Sequence, residues 1–390
     1  ETVKAYARLN KCIECGFCEV NCVSSGFTPS SRTRIVLQRE MERLRQTGED
    51  PSLLKTFEKQ YSYPGEQTCA GDGLCSMSCP MGINVGDLTH EVRRKNMSKM
   101  ANEIGGFVAD NFHGVKIALR GVLHVADFGH SVLGGKVMGA LARGMHAVGL
   151  PLWTPSMPKA YNASKRVAAA GDSVLKVVYF PSCLNQTMGI DKASEGMKPL
   201  AEEMIELLGK AGYEVILPEN MDSLCCGTIW ESKGLPEIAA NKTRQLEEAL
   251  WEASEHGKYP VVCDQSPCLH RMKQHMTKVE LYESAEFIWK FLKDRLAFTR
   301  TDRPVALHLT CSTKLMKIDR IVYDLACLCS SQVLVPEGVG CCGFAGDKGM
   351  THPELNAYAL RKLRSQIEAK GIETGYSNSR TCEIGLQTNS

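Results

Sequence analysis

The sequence predicts a multidomain α+β chain, helical and cysteine-loaded at its N-terminal end and built from two tandem α/β, Rossmann-like repeats at its C-terminal end. Three observations carry this prediction. The 390 residues exceed what one hydrophobic core usually holds. Strand-like and helix-like runs alternate from residue 171 onward, the order of a mostly parallel sheet flanked by helices. That alternation then occurs a second time with cysteines at matching places, which marks an internal duplication. The expected divisions are 1–100, 101–170, 171–300 and 301–390.

In the first division two cysteine groups flank a charged helix over residues 32–46, apolar at Ile35, Leu37, Met41 and Leu44 and ended by Gly48-Glu49-Asp50-Pro51. Asp87 is placed to cap a further helix over residues 87–100. Residues 101–170, rich in Gly, Ala, His and Met, read as helices bridging the two halves. The most apolar run, 137–153, contains Arg143 and His146 and reads as a buried helix rather than a membrane-touching one. No apolar run reaches the ~18 residues of a transmembrane helix.

The first repeat opens with a buried strand over 174–180, ending at Pro181-Ser182-Cys183. A helix over 197–209 and a strand over 214–217 lead to Cys225-Cys226-Gly227, and a helix over 236–256 and a strand over 260–262 lead toward Cys268. In the second repeat a strand over 305–309 ends at Cys311, a strand over 333–335 leads to Cys341-Cys342-Gly343, and a helix over 354–370 precedes Cys382. Both place cysteines just past strand ends, where open α/β sheets bind ligands.

The 18 cysteines set the class of the chain. In a short secreted protein they would imply a disulfide framework, but this chain is long, shows no signal peptide and gathers its cysteines in tight groups. Thiolate ligands in a reducing, cytoplasmic compartment account for that grouping. A net charge of +2, without a Lys/Arg stripe, argues against nucleic acid as a partner.

Cys12-x2-Cys15-x2-Cys18-x3-Cys22 has the spacing of a bacterial ferredoxin run. Three cysteines wrap one iron–sulfur cube, and the fourth points to a second cube. Cys69-x2-Asp72-x2-Cys75-x3-Cys79-Pro80 repeats the register with Asp72 in the second place. The first cluster is therefore assigned to Cys12, Cys15, Cys18 and Cys79, and the second to Cys22, Cys69, Asp72 and Cys75. Both are expected as 4Fe–4S clusters. A carboxylate is a harder ligand than a thiolate, so the iron at Asp72 is the labile one and its loss would leave a 3Fe–4S cluster. Zinc sites use paired Cys-x2-Cys rather than a triplet with a trailing fourth, which disfavours zinc here.

Cys183, Cys225, Cys226 and Cys268 form the first Cys-Cys-Gly set, and Cys311, Cys341, Cys342 and Cys382 the second. Adjacent cysteines suit a multi-iron core better than one tetrahedral ion, and the glycine after them lets the backbone turn sharply. A vicinal disulfide would be strained. One or two further iron–sulfur clusters, with zinc as the alternative at one set, are the expectation.

Lys11-Cys12-Ile13-Glu14-Cys15-Gly16-Phe17-Cys18, the 69–79 run with Asp72-Gly73-Leu74, and Arg380-Thr381-Cys382-Glu383-Ile384-Gly385 together resemble the C-terminal half of FAD-linked D-lactate (D-2-hydroxy acid) dehydrogenases of the iron–sulfur type. Iron–sulfur subunits of glycolate oxidase and of anaerobic glycerol-3-phosphate dehydrogenase, and heterodisulfide reductase subunits, share the pattern. The resemblance implies a helical ferredoxin-type dicluster domain followed by two tandem Cys-Cys-Gly repeats. It also implies FAD on a partner domain or subunit that oxidises D-lactate or a similar 2-hydroxy acid, with electrons delivered to a quinone or carrier protein, and peripheral contact at the inner face of the membrane. Glu1 stands where a methionine would, as in a processed chain or one cut from a longer flavoprotein. The chain departs from the family in that its trailing Cys-x2-Cys is incomplete twice, with Gln265 before Cys268 and Ser379 before Cys382; Cys263 is a substitute in the first repeat only. Val23 replaces the proline that usually follows the fourth cysteine of the first run.

Two other functions compete: a heterodisulfide reductase-like protein whose Cys-Cys-Gly cluster itself cleaves a disulfide, and a zinc-holding docking scaffold. His308, three residues before Cys311, reads as a hydrogen-bonded structural histidine, and Cys327 and Cys329 as core thiols. The glycine-rich stretch 338–343 lacks a P-loop lysine and no G-x-G-x-x-G opens a helix, so no nucleotide site is expected in this chain.

Overall fold

The computed structural model describes residues 9–163 and 175–390. Two short 3-10 turns, Leu9–Lys11 and Phe17–Asn21, lead into α1 (Ser31–Thr47), which is capped by the Ser30 side chain and closed by left-handed Gly48. Asp50 caps α2 (Pro51–Tyr61) by accepting from the Leu53 N–H at 2.8 Å. Ile35, Met41, Tyr61, Val85, Leu88 and Val92 form the small core of this part. The helix expected to start at Asp87 instead begins at Val85: α3 (Val85–Asn96) is capped by Asn84, whose side chain accepts from Gly86 N–H. Asn84 has the extended backbone that a cap requires, whereas Asp87 already lies inside the first turn and accepts from the Asn84 amide. The helix stops at Asn96, and Ser98 caps a separate α4 (Lys99–Asp110).

A 36-residue helical stretch, α5 (Phe112–Ala147), follows and breaks at Gly134, where φ 73° and ψ 160° leave the helical region. The expected buried helix over 137–153 is overturned: the helix ends at Ala147, and Val137, Leu141, Met145 and Val148 are exposed. Apolar composition alone does not say which side of a helix meets the core. No helix among the described residues is long and apolar enough to cross a membrane.

In the first repeat β1 (Leu175–Phe180), β2 (Tyr213–Ile216), β3 (Val261–Cys263) and β4 (Leu281–Glu283) form a parallel sheet of order β2-β1-β3-β4. Residue 174, expected to open β1, lies outside the described residues. Helices α6 (Leu200–Lys210), α7 (Pro236–Ala253) and α8 (Ser266–His275) cover the sheet, and Val177, Val178, Leu208, Leu246, Val262 and Leu269 meet between the layers. The second repeat is smaller. Its strands β5 (Val305–His308), β6 (Val333–Leu334) and β7 (Thr374–Ser377) pair in parallel, in the order β6-β5-β7. Strands β4 and β7 were not expected from the sequence, and the single helix expected over 354–370 is two, Pro353–Ala359 and Leu363–Ala369. The C-terminal α9 (Arg380–Asn389) carries Cys382.

Candidate metal centres

The two N-terminal cysteine loops fold alike. Gly16 and Gly73 take left-handed conformations, φ 82° and 75°, and each caps the one-turn 3-10 helix bearing the next cysteine, Cys18 or Cys75. Asp72 precedes Gly73 as Cys15 precedes Gly16. Cys12, Cys15 and Cys18 then share a space of about 360 Å³ with Cys79 from the second run. Cys22 shares one of about 300 Å³ with Cys69, Asp72 and Cys75. The structure thus brings together both sets that the spacing pairs across the runs. Among the described residues no group of three or more such donors is set to grip a single metal ion. Four donors facing one hollow, at least three of them thiols in each case, have the chemistry of a multi-iron cluster site.

The first space opens outward. Cys15 is exposed, Ile13 and Met81 line the mouth, and Phe17, Val20 and Met77 are exposed on the turns beside it. The second is interior. Arg34 is fully buried, donates to the carbonyls of Gly65 at 2.7 Å and Pro64 at 3.0 Å, and brings Nη1 within 3.9 Å of Cys22 Sγ. The Val85 N–H points at Cys75 Sγ from 3.3 Å. Burial raises the Cys18 and Cys22 thiols and pushes Cys75 up to about 12, so at neutral pH these groups keep their protons until a metal displaces them.

The Cys-Cys-Gly turns are also twins. Gly227 (φ 92°) and Gly343 (φ 69°) are left-handed, and each N–H points back at the first cysteine sulfur, 3.5 Å from Cys225 Sγ and 3.4 Å from Cys341 Sγ. A Cβ on Gly227 would stand 2.5 Å from the Ala239 carbonyl oxygen, and one on Gly343 would stand 2.9 Å from that of Leu355. The carbonyl of the second cysteine accepts from the following helix in both repeats: Thr243 Oγ1 reaches Cys226 at 2.8 Å and Asn356 Nδ2 reaches Cys342 at 2.7 Å. Hydrogen bonds with Cys183 and Cys226 push the Cys225 thiol up, while Cys225 and Cys268 hold Cys226 down, so the four thiols of the first set form a chain of neighbours. In the second set Cys311 meets Cys341, and Cys342 Sγ lies 2.8 Å from Cys382 Sγ.

The incomplete trailing motifs have a structural counterpart that the sequence did not announce. Gln265 and Ser379, the residues standing in for the absent cysteines, hydrogen-bond to each other at 3.1 Å, and the Arg380 N–H donates to Gln265 Oε1 at 2.9 Å. Ser266 reaches Thr310 and Ser312, on either side of Cys311, while Arg380 Nε reaches Asn185 near Cys183. Each repeat's last cysteine loop therefore clasps the other's first. Cys263 is fully buried at the end of β3, its thiol raised by burial.

Asp72 joins the two halves of the molecule. It lines the second hollow, yet the Cys341 thiol of the second repeat acts on its carboxyl, and Asp72 in turn raises Cys311 and Cys341. Burial pushes the carboxyl up, against Cys341, the Leu74 N–H, Arg34 and Lys314, which pull it down. Oδ1 accepts from Leu74 at 3.0 Å, while Oδ2 is shut off from solvent without a partner of full hydrogen-bond geometry. Around it the N-terminal part docks on the second repeat. Tyr358 stacks on Phe27 at 5.1 Å and donates to the Ser25 carbonyl at 2.9 Å, and Lys348 Nζ donates to the Gln67 carbonyl at 2.5 Å.

His308 is buried beside Ser377 Oγ at 3.1 Å and, through desolvation and then Lys314, is lowered to about 4, the neutral structural histidine expected. Cys327 and Cys329 are not core thiols. They end the helix Asp319–Cys329, Cys327 half-buried and Cys329 exposed, because helical rather than extended backbone places them at its rim.

Residues 8–83 match the 4Fe-4S dicluster domain, and residues 177–273 and 305–387 each match the cysteine-rich domain. The glycolate oxidase iron-sulfur subunit of Escherichia coli (strain K12) is 22% identical over 420 aligned positions, covering 99% of this chain and 90% of that protein. No solved structure matches the chain. The chain is an iron–sulfur electron-transfer protein in which a 4Fe-4S dicluster domain is followed by two cysteine-rich domains, similar along nearly its whole length to a glycolate oxidase iron-sulfur subunit.

Proposed function

We propose that this chain receives electrons from a flavoprotein, FAD-bearing and fused or separate, that oxidises D-lactate or a related 2-hydroxy acid, and delivers them to a quinone or carrier protein. Cys12, Cys15, Cys18 and Cys79 would hold one cluster, Cys22, Cys69, Asp72 and Cys75 a second, and the two Cys-Cys-Gly sets one or two more. When bound, such clusters supply one-electron uptake and release at potentials set by their surroundings. The surroundings of each set support an order of sites. The surface-open set, ringed by Ile13 and Met81, is where a donor protein can approach, and Arg34 and the Val85 N–H favour negative charge on the sulfurs of the interior set.

The observation that carries this reading is the position of Asp72, which lines the interior hollow and acts on Cys341 where the N-terminal part packs against the second repeat. The test mixes the anaerobically cluster-loaded chain with a D-lactate-oxidising or glycolate-oxidising flavoprotein. Substrate should bleach the cluster absorbance only when both proteins are present. Bleaching by neither substrate, with dithionite still able to bleach, would refute the proposed donor.

A further inference from the structure

The loop that carries Asp72 lines the interior hollow on one side and is pressed against the second repeat on the other. A Cβ on left-handed Gly73 would stand 3.2 Å from Leu315 Cδ1, on the helix Cys311–Leu315. One on Gly340, the residue before Cys341, would stand 3.8 Å from Leu74 Cδ1. The two neighbours that follow Asp72 therefore pack on the segments bearing Cys311 and Cys341. Within this packing Oδ1 accepts from the Leu74 N–H, while Oδ2 is shut off from solvent without a hydrogen-bond partner of full geometry. The cations that act on the carboxyl are engaged elsewhere, Arg34 with the Pro64 and Gly65 carbonyls and Lys314 with the Gly340 carbonyl at 3.3 Å. A carboxylate oxygen buried without a donor is costly unless a cation meets it.

The thiols on the far side are the candidates to share that cation. The Cys341 thiol acts on the carboxyl, and the carboxyl acts on both Cys311 and Cys341. Their counterparts in the first repeat, Cys183 and Cys225, have Lys116 and Lys242 beside them instead. The two repeats thus differ at the same two cysteines by a carboxyl against cations. An ionised carboxylate has about four lone-pair sites on its two oxygens, and the Leu74 N–H takes one, so enough remain to meet iron on both sides. We infer that Asp72 is a shared ligand, binding iron of the interior set and iron of the second Cys-Cys-Gly set, a sharing that rests on the reading of the second set as a cluster site. The second set is then completed by a donor from outside its own repeat, and its hold on iron depends on the dicluster loop. The first set is indifferent to Asp72.

The test isolates the second set within the full chain, loaded anaerobically. Cys69→Ser with Cys75→Ser empties the interior set, and the iron removed by a further Cys341→Ser with Cys342→Ser is then the share of the second set. After brief exposure to a chelator that share should fall about tenfold when Asp72→Asn is added. The share of the first set, removed by Cys225→Ser with Cys226→Ser, should stay as it was. If the chain without Cys69 and Cys75 does not fold, the same subtraction is made with both in place. Melting of the metal-free chain separates a ligand from a structural residue. Asp72→Asn keeps an oxygen for the Leu74 N–H and removes the unpartnered carboxyl, so on its own it should melt no lower than the parent without metal. If Cys341→Ser with Cys342→Ser removes no iron from the parent, the second set holds no cluster, and the cluster reading falls together with the inference. A second-set share that is equal with and without Asp72→Asn overturns the shared ligand alone. So does a metal-free Asp72→Asn chain that melts below the parent.

Discussion

The two Cys-Cys-Gly sets share a turn but not a neighbourhood. Both present adjacent cysteines on a left-handed glycine, with the second carbonyl tied to the next helix. Around the first set the neighbours are cationic: Lys116 is near Cys183, Lys242 is near Cys225, and Arg271 Nε donates to the Cys226 carbonyl at 2.9 Å. Around the second, the buried carboxyl of Asp72 acts on Cys311 and Cys341. Cations stabilise the reduced, more negative state of a cluster and a carboxylate opposes it. Clusters held in the two thiol cages are therefore expected to differ in potential, the first higher, with the second set adjoining the dicluster part.

Removing the shared turn should have the largest effect. Gly227→Ala and Gly343→Ala drive a Cβ into backbone oxygen from a left-handed conformation, and each should cost on the order of 3 kcal/mol and empty its own repeat of iron, read by thermal melting and metal analysis. Gly346→Ala is the control, equally left-handed at φ 76° but facing open space, with an expected cost of about 1 kcal/mol. If all three variants melt alike, close packing at the two turns is not what fixes them.

The carboxylate that distinguishes the second set comes next. Asp72→Ala should lower iron retention in the interior hollow by about tenfold to a hundredfold, and Asp72→Cys should restore it, counted as iron per chain after brief exposure to a chelator. Equal retention in all three proteins would remove Asp72 from the ligand set.

Glu283 probes the clasp between the repeats. It accepts from Asn378 Nδ2 at 3.1 Å, and burial raises its carboxyl from 4.5 to about 7. The folded chain therefore holds this proton more tightly than the unfolded chain does. The stabilisation is complete below pH 4.5 and is lost as pH rises toward about 7, by up to on the order of 3 kcal/mol. Glu283→Gln should flatten melting temperature against pH across that window, and an unchanged slope would contradict the assignment.

The smallest effect concerns the cations. Lys242→Met should lower the potential of the first set by on the order of tens of millivolts and leave the second in place, as followed by redox titration. A shift of both sets together would mean that the two share one environment.

The residues that line the two N-terminal hollows were legible because their grouping is local: spacing and an intervening glycine place three donors around one hollow, and the fourth follows from the repeated register. Strands β1 and β5 were legible as apolar runs, since strands buried on both faces are apolar throughout. The exposed edge strand Thr374–Ser377, with Gly375 in it, carries no such signal. Strand β4 was missed because three residues are too few for a period. The Asp72–Cys341 approach and the Gln265–Ser379 bond join residues more than a hundred positions apart, and no local pattern encodes them. The exposed Val137, Leu141, Met145 and Val148 were misread for a related reason, since composition gives a helix its stripe but not its partner.

The central claim is that the interior dicluster site and the second Cys-Cys-Gly set are immediate neighbours through Asp72. Low-temperature EPR of the anaerobically loaded, partly reduced chain tests this through magnetic interaction between centres. Signals of the interior cluster should carry broadening beyond that from its dicluster neighbour, and this extra broadening should disappear in Cys341→Ser with Cys342→Ser but persist in Cys225→Ser with Cys226→Ser. Broadening that vanishes only with the first set, or a folded sample without acid-labile sulfide, would contradict it.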